Sequence, residues 1–354
     1  MEEIRARFRL DWPGFALDVD QVFPGRGVTA LFGQSGSGKT TLLRCVAGLE
    51  RTAGGHLSVG GEIWQDHRHW LPTHRRPLGY VFQEANLFPH LNVLGNLRYG
   101  MKRSASAQQQ NLDQAIELLG ISHLLERKPD RLSGGERQRV GIARALAVAP
   151  KILLMDEPLA ALDLKRKQEI LPYLERLHRE LDIPVFYVSH AMEEVVRLAD
   201  HLVLLEEGRA IASGGLSEML ARLDLPTAHS DDAGVVIEAE IALHDRDYAL
   251  TRLDFAGRSL WVGKLDQPEG TRVRARVLAR DVSIALELPR GTSIANILEA
   301  RIVEISDEGP DRVNVLMDAG QNLLSRITRR SRDMLGLKPG MKVCAQVKSV
   351  ALTR

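Results

Sequence analysis

Hydrophobic and polar positions follow three different patterns in the first two thirds of the chain. Positions 4–10 and 15–22 alternate and are separated by Trp12-Pro13-Gly14, which predicts a β-hairpin. Continuous apolar runs, typical of buried parallel strands, occupy positions 28–32, 152–155, 185–188 and 201–205. Helical spacing is present at 39–48, 111–119 and 136–148. Strands that alternate with helices predict an α/β layer around a parallel sheet.

The pattern changes near residue 225, where Leu225-Pro226 and a polar stretch at 230–232 interrupt it. Beyond this point short alternating runs, typical of small β-barrels or a sandwich, lie at 235–241, 259–262, 272–278, 282–286, 300–305, 312–317, 323–327 and 342–350. Pro289-Arg290-Gly291 divides them into two units. We therefore predict three domains, an α/β domain at 1–230 and all-β units at 231–289 and 290–354.

Composition narrows the class of protein. The 354 residues are 44% hydrophobic and 26% charged, which excludes a disordered or coiled-coil chain. The net charge of +1 and the absence of an aromatic series in the β-rich half argue against a nucleic-acid partner. Two distant cysteines, Cys45 and Cys344, fit a reducing compartment. We expect no secretory signal, and the sequence has no uninterrupted apolar run of 18 residues. We therefore expect any membrane role to depend on a partner protein.

A glycine-rich segment lies between the apolar run at 28–32 and the following helix. It reads GQSGSGKTT and matches the phosphate-binding P-loop pattern in the strand–loop–helix context that the pattern requires. Backbone amides and the helix N-terminus would hold a polyphosphate, Lys39 would reach the β- and γ-phosphates, and the Thr40 hydroxyl would bind Mg²⁺. The predicted ATP-binding residues are Gly33, Gln34, Ser35, Gly36, Ser37, Gly38, Lys39, Thr40 and Thr41.

Two acidic residues follow the apolar run at 152–155, within the segment ILLMDEP. In open α/β sheets ligands bind at the carboxyl ends of the strands. Asp156 would hold Mg²⁺, and Glu157 is placed to polarise the water that attacks the γ-phosphate. The sequence therefore predicts an α/β P-loop nucleoside triphosphatase.

Residues 132–139 read LSGGERQR and resemble the signature sequence of the ATP-binding cassette ATPases. Ser133, Gly134 and Gly135 open a predicted helix at Glu136, and amides at a helix start form an anion site. The resemblance implies that this site acts on the γ-phosphate held by the opposite subunit, so that the chain works as a homodimer with ATP and Mg²⁺. The 50 residues between Gln83 and Ser133 fit the short helical subdomain of transporters.

Further positions match the same family. Gln83 is similar to the glutamine that senses Mg²⁺ and the membrane partner, and His190 is similar to the switch histidine that contacts the γ-phosphate. The segment beginning at Ala160 resembles the dimer-contact loop, in which the family often has serine at the first position. Trp12 or Phe15 would stack on adenine, and Phe15 is favoured.

Longer stretches, at 71–100, 259–268, 292–298 and 346–354, resemble the ATPase subunits of molybdate importers and their molybdenum-pterin-binding-type barrel. The resemblance implies a peripheral protein on the cytoplasmic face of the inner membrane. Its partners would be a transmembrane permease dimer and, through it, an extracytoplasmic molybdate-binding protein. Two alternatives remain open, an importer of another oxyanion or of a sugar, and a cassette ATPase without a transport role.

The terminal unit offers donors for a tetrahedral oxyanion, which needs several N–H and O–H groups and a compensating charge. The predicted donors are Ser293, Asn296, Lys348 and Ser349. Where the family commonly has arginine before the asparagine, this chain has Ala295. The unit would therefore bind regulatory molybdate with Lys348 as its charge, or serve only in structure or dimerisation.

Overall fold

The computed structural model describes residues 3–102 and 107–353. The chain divides into two compact units, Met1–Gly214 and Gly215–Arg354. Residues 216–229, assigned above to the first domain, pack with the second unit, because Ala221, Leu223 and Ala228 belong to its hydrophobic core. The limits of 231–289 and 290–354 stay predictions.

The first unit alternates strands and helices along most of its length. Its strands are β1 (Ile4–Trp12), β2 (Phe15–Phe23), β3 (Val28–Phe32), β4 (His56–Val59), β5 (Glu62–Gln65), β6 (Leu78–Val81), β7 (Ile152–Asp156), β8 (Val185–Val188), β9 (His201–Glu206) and β10 (Arg209–Gly215). Its helices are α1 (Lys39–Ala47), α2 (Val93–Met101), α3 (Gln109–Leu118), α4 (Gly134–Leu146), α5 (Leu164–Glu180) and α6 (Met192–Leu198). The predicted hairpin, parallel strands and three helices are confirmed.

The strands of this unit form one sheet in the order β5-β4-β1-β2-β10-β9-β3-β8-β7-β6. Neighbouring strands from β6 through β7, β8 and β3 to β9 are parallel, whereas β1 pairs with β2 and β4 antiparallel. The carboxyl ends of β3, β6, β7 and β8 therefore meet at one edge of the sheet. Asp156 is the last residue of β7, and the P-loop, Gln83 and His190 follow the ends of β3, β6 and β8.

The core of the first unit lies between α1 and the sheet. Apolar side chains of α1 such as Leu42 and Val46 are fully buried against β-strand residues such as Phe8 and Phe186. Helices α2 and α3 both contact α4 and form the predicted helical subdomain between Gln83 and the signature segment. The predicted α/β fold with a helical subdomain is confirmed.

The second unit is built mainly of β-strands. Its described elements are α7 (Leu216–Ala221), β11 (Gly234–Asp245), β12 (Leu250–Phe255), β13 (Arg258–Gly263), β14 (Arg272–Leu278), β15 (Val282–Ala285), β16 (Asn296–Glu308), β17 (Arg312–Asp318), β18 (Asn322–Thr328), α8 (Arg329–Leu335), β19 (Lys342–Val347) and β20 (Ala351–Thr353). The predicted all-β region is confirmed, with β12, β20, α7 and α8 as additions.

The two five-stranded sheets of this unit exchange strands. Their orders are β13-β12-β11-β14-β20 and β15-β19-β16-β17-β18. The last strand, β20, pairs with β14 in the sheet built from 231–289, and β15 pairs with β19 in the other sheet. One hydrophobic core contains residues of both sheets. The two predicted β units are therefore interlocked in the structure.

Candidate nucleotide site

The P-loop leaves β3 and turns into α1 through residues that tolerate unusual backbone angles. Gly38 immediately precedes α1 with φ 99°, a left-handed conformation that side chains with a Cβ rarely adopt. A Cβ at Gly38 would also lie 3.1 Å from Cζ of Phe15. The first turn of a helix has amide groups without intrahelical partners. The loop therefore leads directly into the N-terminus of α1, and its binding of a phosphate stays a prediction.

Lys39 is buried at the base of this loop. Its ammonium donates to the carbonyl oxygens of Gly33 at 2.9 Å and Gln34 at 2.7 Å, and lies 3.4 Å from Oγ of Ser37. Burial lowers the pKa of Lys39, and the negative charges of Glu157 and Asp156 oppose that shift. The loop thus closes around a desolvated cation that is hydrogen-bonded to the loop itself.

Asp156 ends β7 and is held from two sides. Thr40 Oγ1 donates to its Oδ1 at 2.8 Å, and the Tyr80 hydroxyl donates to its Oδ2 at 3.1 Å. Burial raises the pKa of Asp156, while the two hydroxyl donors favour the carboxylate. Hydroxyl and carboxylate oxygens are ligands that Mg²⁺ prefers, so Thr40 and Asp156 fit a Mg²⁺ site.

Sequence reasoning missed Tyr80, which lies on β6 next to β7. The parallel register places it opposite Leu154, two residues before Asp156. Burial raises the pKa of the Tyr80 hydroxyl further above its ordinary value, so it stays a hydrogen-bond donor. The sequence could have indicated Tyr80 by its position near the end of β6, the strand next to the one that carries Asp156 and Glu157.

Glu157 faces His190 at the carboxyl edge. Its Oε2 lies 3.4 Å from Nδ1 of His190, and its backbone has φ 45°. The Glu157 amide donates to the carbonyl of Val188 at 3.1 Å, which holds this left-handed residue in place. The structure therefore brings together the predicted general base and the predicted switch histidine.

Gln83 lies two residues beyond β6 and is exposed. The register pairs Val81 with Met155, and Asp156 with Val188. Gln83 thus follows β6 at the same sheet edge as Asp156, Glu157 and His190. This placement agrees with its predicted location, and its role stays a prediction.

A cavity of about 400 Å³ lies over the P-loop. Trp12 and Phe15 line one part of it, and their ring centroids are 6.0 Å apart. The Trp12 side chain is among the exposed large hydrophobic groups at 41%, whereas Phe15 packs partly against the core. The remaining lining residues are Ser35, Gly36, Gly38, Lys39, Thr40, Thr41 and Glu157.

The signature segment forms a helix start away from this cavity. Ser133 caps α4, since its Oγ accepts from the Glu136 amide at 3.3 Å and the Glu136 carboxylate accepts from the Ser133 amide at 2.7 Å. The hydrogen bond from the backbone N–H of Ser133 lowers the pKa of the Glu136 carboxyl. Gly134 lies beside Leu162, and a Cβ at Gly134 would be 3.1 Å from its Cδ2. Within one chain the signature residues do not line the P-loop cavity.

The two segments that carry the predicted oxyanion residues meet at one end of the β16–β19 pair. Asn296 pairs with Val347 across β16 and β19, which brings the segments at 293–296 and 347–349 together. The buried Asn296 carboxamide, however, accepts from the Trp261 amide at 2.7 Å and donates to the Trp261 carbonyl at 2.8 Å. This assigns Asn296 to the contact between β13 and β16. Ser293, Lys348 and Ser349 remain as exposed donors.

Comparisons with known proteins agree with both units. The family model described as ABC transporter matches residues 18–160, and the model described as TOBE domain matches residues 292–353. A protein of Methylococcus capsulatus named molybdenum import ATP-binding protein is 64% identical, with 99% of each chain covered. One of Aromatoleum aromaticum with the same name is 66% identical over 100% of this chain and 95% of its own.

The chain belongs to the family of molybdenum import ATP-binding proteins. A third member, from Pseudomonas aeruginosa, is 58% identical with 99% of each chain covered. The nucleotide-binding part of this family member has the fold of a solved dimeric ATP-binding cassette in a post-hydrolysis state with ADP and phosphate. That likeness has a TM-score of 0.51 at 24% identity and covers 60% of this chain and 98% of the other.

The described part of this family member, residues 3–102 and 107–353, contains no helix long and apolar enough to cross a bilayer.

Proposed function

We propose that the chain is the ATP-hydrolysing, energy-coupling subunit of a membrane importer for molybdate. The observation that supports this most strongly is the set of full-length relatives above 55% identity, all named for molybdenum import. The signature sequence and the P-loop cavity supply the ATPase part of the proposal. The shared chemistry of tetrahedral oxyanions keeps tungstate and sulfate as candidates for the same importer.

ATP would bind over the P-loop with its phosphates on the loop amides and Lys39. Trp12 carries the more exposed ring, and Phe15 rests on Gly38, so we assign the stacking face for adenine to Trp12 rather than Phe15. Thr40 and Asp156 would hold Mg²⁺, with Gln83 at the same edge. When bound, Mg²⁺ neutralises charge on the β- and γ-phosphates.

Glu157 would act as the general base for hydrolysis. It accepts a proton from a water whose oxygen forms the new bond to the γ-phosphorus, while the bond between that phosphorus and the bridging oxygen breaks. ADP and inorganic phosphate leave, and the proton on Glu157 returns to solvent. His190, 3.4 Å from Glu157, would contact the γ-phosphate and orient the water.

A site that hydrolyses ATP would need two chains, because the signature residues Ser133 to Glu136 do not line the P-loop cavity of their own chain. A homodimer would place the signature of one chain against the nucleotide of the other. This dimer would lie on the cytoplasmic face of the inner membrane beneath a permease dimer. An extracytoplasmic molybdate-binding protein would deliver the anion to that permease.

The corner formed by Ser293, Lys348 and Ser349 would bind cytosolic molybdate and slow transport. One ammonium and two hydroxyls in an exposed corner predict modest affinity. Calorimetric titration of the full chain should show molybdate binding that is lost in the Ser293→Ala, Lys348→Ala double variant. If the double variant binds molybdate as tightly as the wild type, the anion binds at a site other than this corner.

Uptake by cells tests the proposed substrate. Cells that lack the chain should lose accumulation of labelled molybdate at nanomolar external concentration and regain it with the wild-type chain. Excess tungstate should compete if the importer selects tetrahedral oxyanions, whereas maltose should not. Competition by maltose and not by tungstate would support a sugar importer. The absence of the chain from membrane fractions would support an ATPase without a transport role.

A further inference from the structure

Glu194 on α6 is a buried carboxylate that the hydrolysis described above does not use. Its Oε2 accepts from the Tyr187 hydroxyl at 2.9 Å and from Oγ of Ser189 at 2.8 Å. Its Oε1 accepts from the Lys167 ammonium at 2.8 Å. Glu194 is 4% exposed, and a buried charge of this kind is costly unless it is paired and hydrogen-bonded. Three donors supply that pairing, one on β8, one directly after β8 and one on α5.

Both neighbours of His190 are connected to this carboxylate. Ser189 donates to Glu194, and its Oγ accepts from the Ala191 amide at 3.0 Å. The backbone is therefore fixed immediately before and immediately after His190. The His190 side chain itself is 59% exposed, so few contacts of its own restrict it.

Lys167 connects the same carboxylate to the loop that follows the general base. It lies in the first turn of α5, where its amide donates to the Asp163 carbonyl at 2.9 Å. The loop at 160–163 runs from Glu157 to α5, and the Ala160 amide donates to the Glu157 carbonyl at 3.1 Å. Glu194 thus joins the backbone around His190 to the helix that begins just beyond Glu157.

We propose that Glu194 is a positioning residue that holds His190 opposite Glu157 by tying Ser189 and Ala191 to α5 through Lys167. The proposal rests on the hydrolytic function proposed above. It makes the 3.4 Å contact between Glu157 and His190 depend on a carboxylate that does not line the nucleotide cavity.

The test compares Glu194→Gln with a matched control on the same two helices. Glutamine keeps the shape but removes the charge that pairs with Lys167, so kcat should fall about tenfold while the Kd for ATP changes less than about twofold. Glu175→Gln is the control, because Glu175 of α5 accepts from Nε of Arg197 of α6 at 2.7 Å. It should lower the melting temperature to a similar extent and leave kcat within about twofold of wild type.

A double-mutant cycle with His190→Ala separates positioning from general loss of structure. Single-turnover hydrolysis should fall in His190→Ala, and adding Glu194→Gln should change it less than about twofold, because the residue through which Glu194 acts is gone. Effects that multiply in the double variant would overturn the proposal. If Glu194→Gln does not fold, Lys167→Met can replace it in the double-mutant cycle with His190→Ala. Lys167→Met removes the same ion pair at a partly exposed position. A wild-type dimer without ATP hydrolysis would refute the proposed function instead.

Discussion

Oε2 of Glu157 lies 3.4 Å from Nδ1 of His190, although the two residues are 33 positions apart in the chain. The parallel pairing of β7 with β8 produces this contact, since Asp156 is in register with Val188 and each strand continues by one or two residues into the site. Glu157 has a left-handed backbone conformation with φ 45°. Residues held in such conformations cluster at functional sites.

Glu157→Gln should retain ATP binding and lose most turnover. The amide cannot accept a proton from water, and general-base catalysis contributes about 10²–10⁴-fold. The variant should accumulate as a nucleotide-bound dimer in size-exclusion chromatography. Lys39→Ala is the contrasting variant, because it removes the charge next to the phosphates and should weaken ATP binding itself. Near-wild-type hydrolysis by Glu157→Gln would refute the assignment.

Mixed dimers should show that two chains share each site. A Lys39→Ala chain and a Ser133→Arg chain are each expected to be inactive alone. Combined in one dimer, they form one site with both defects and one with neither. Mixing should therefore restore ATP hydrolysis above the sum of the two parents. If activity in the mixture equals that sum at every ratio, the signature does not act on the opposite chain.

Trp12→Ala should weaken ATP binding more than Phe15→Leu. Stacking of a base on an aromatic ring contributes about 1–3 kcal/mol, so loss of the exposed ring should raise the Kd about tenfold. Phe15→Leu keeps an apolar group against Gly38 and should change the Kd less than about threefold. Calorimetry with ATP measures both. A larger increase in Kd for Phe15→Leu than for Trp12→Ala would support Phe15 as the residue that stacks on adenine.

The sequence predicts that the candidate nucleotide residues share one edge of the sheet, because each lies at or just after the end of a parallel strand. Asp156, Glu157 and His190 lie within two residues after an apolar run, and parallel strands bring such ends together. Helix α5 was not predicted, since Pro172 lies inside it and charged residues fill its exposed face. Tyr80 and Glu194 were not recognised either, because the spacing of residues does not show which side chains meet between neighbouring strands or helices.

The β-rich half shows a different limit of the sequence. The sequence predicts that Asn296 belongs to an oxyanion site together with Ser293, Lys348 and Ser349. Its hydrogen bonds to the backbone of Trp261, 35 residues away, depend on how two sheets pack. The exchange of β15 and β20 between the sheets is equally non-local. Alternating runs identify strands but not the sheet that each joins.

The capping box of α4 should make stability depend on pH in a defined direction. The Ser133 amide lowers the pKa of Glu136 below the value of 4.5 expected when unfolded. A carboxyl with a lowered folded pKa stabilises the fold above its unfolded pKa, and this contribution is lost as pH falls through the folded value.

Glu136→Gln keeps the side-chain length but does not titrate. The melting temperature of the wild type should exceed that of the variant by more at about pH 7 than at about pH 4. Differential scanning calorimetry of both proteins at the two pH values measures this. A difference that is the same at both would show that the Glu136 charge does not contribute to the capping box.

Transport in proteoliposomes that contain the permease and this chain tests the central claim most directly. With ATP on the side of the ATPase and the binding protein loaded with labelled molybdate on the other, the wild type should accumulate molybdate as ATP is hydrolysed. Glu157→Gln should bind ATP and accumulate none. Molybdate accumulation at the wild-type rate with Glu157→Gln, or hydrolysis without any movement of molybdate by the wild type, would contradict the account.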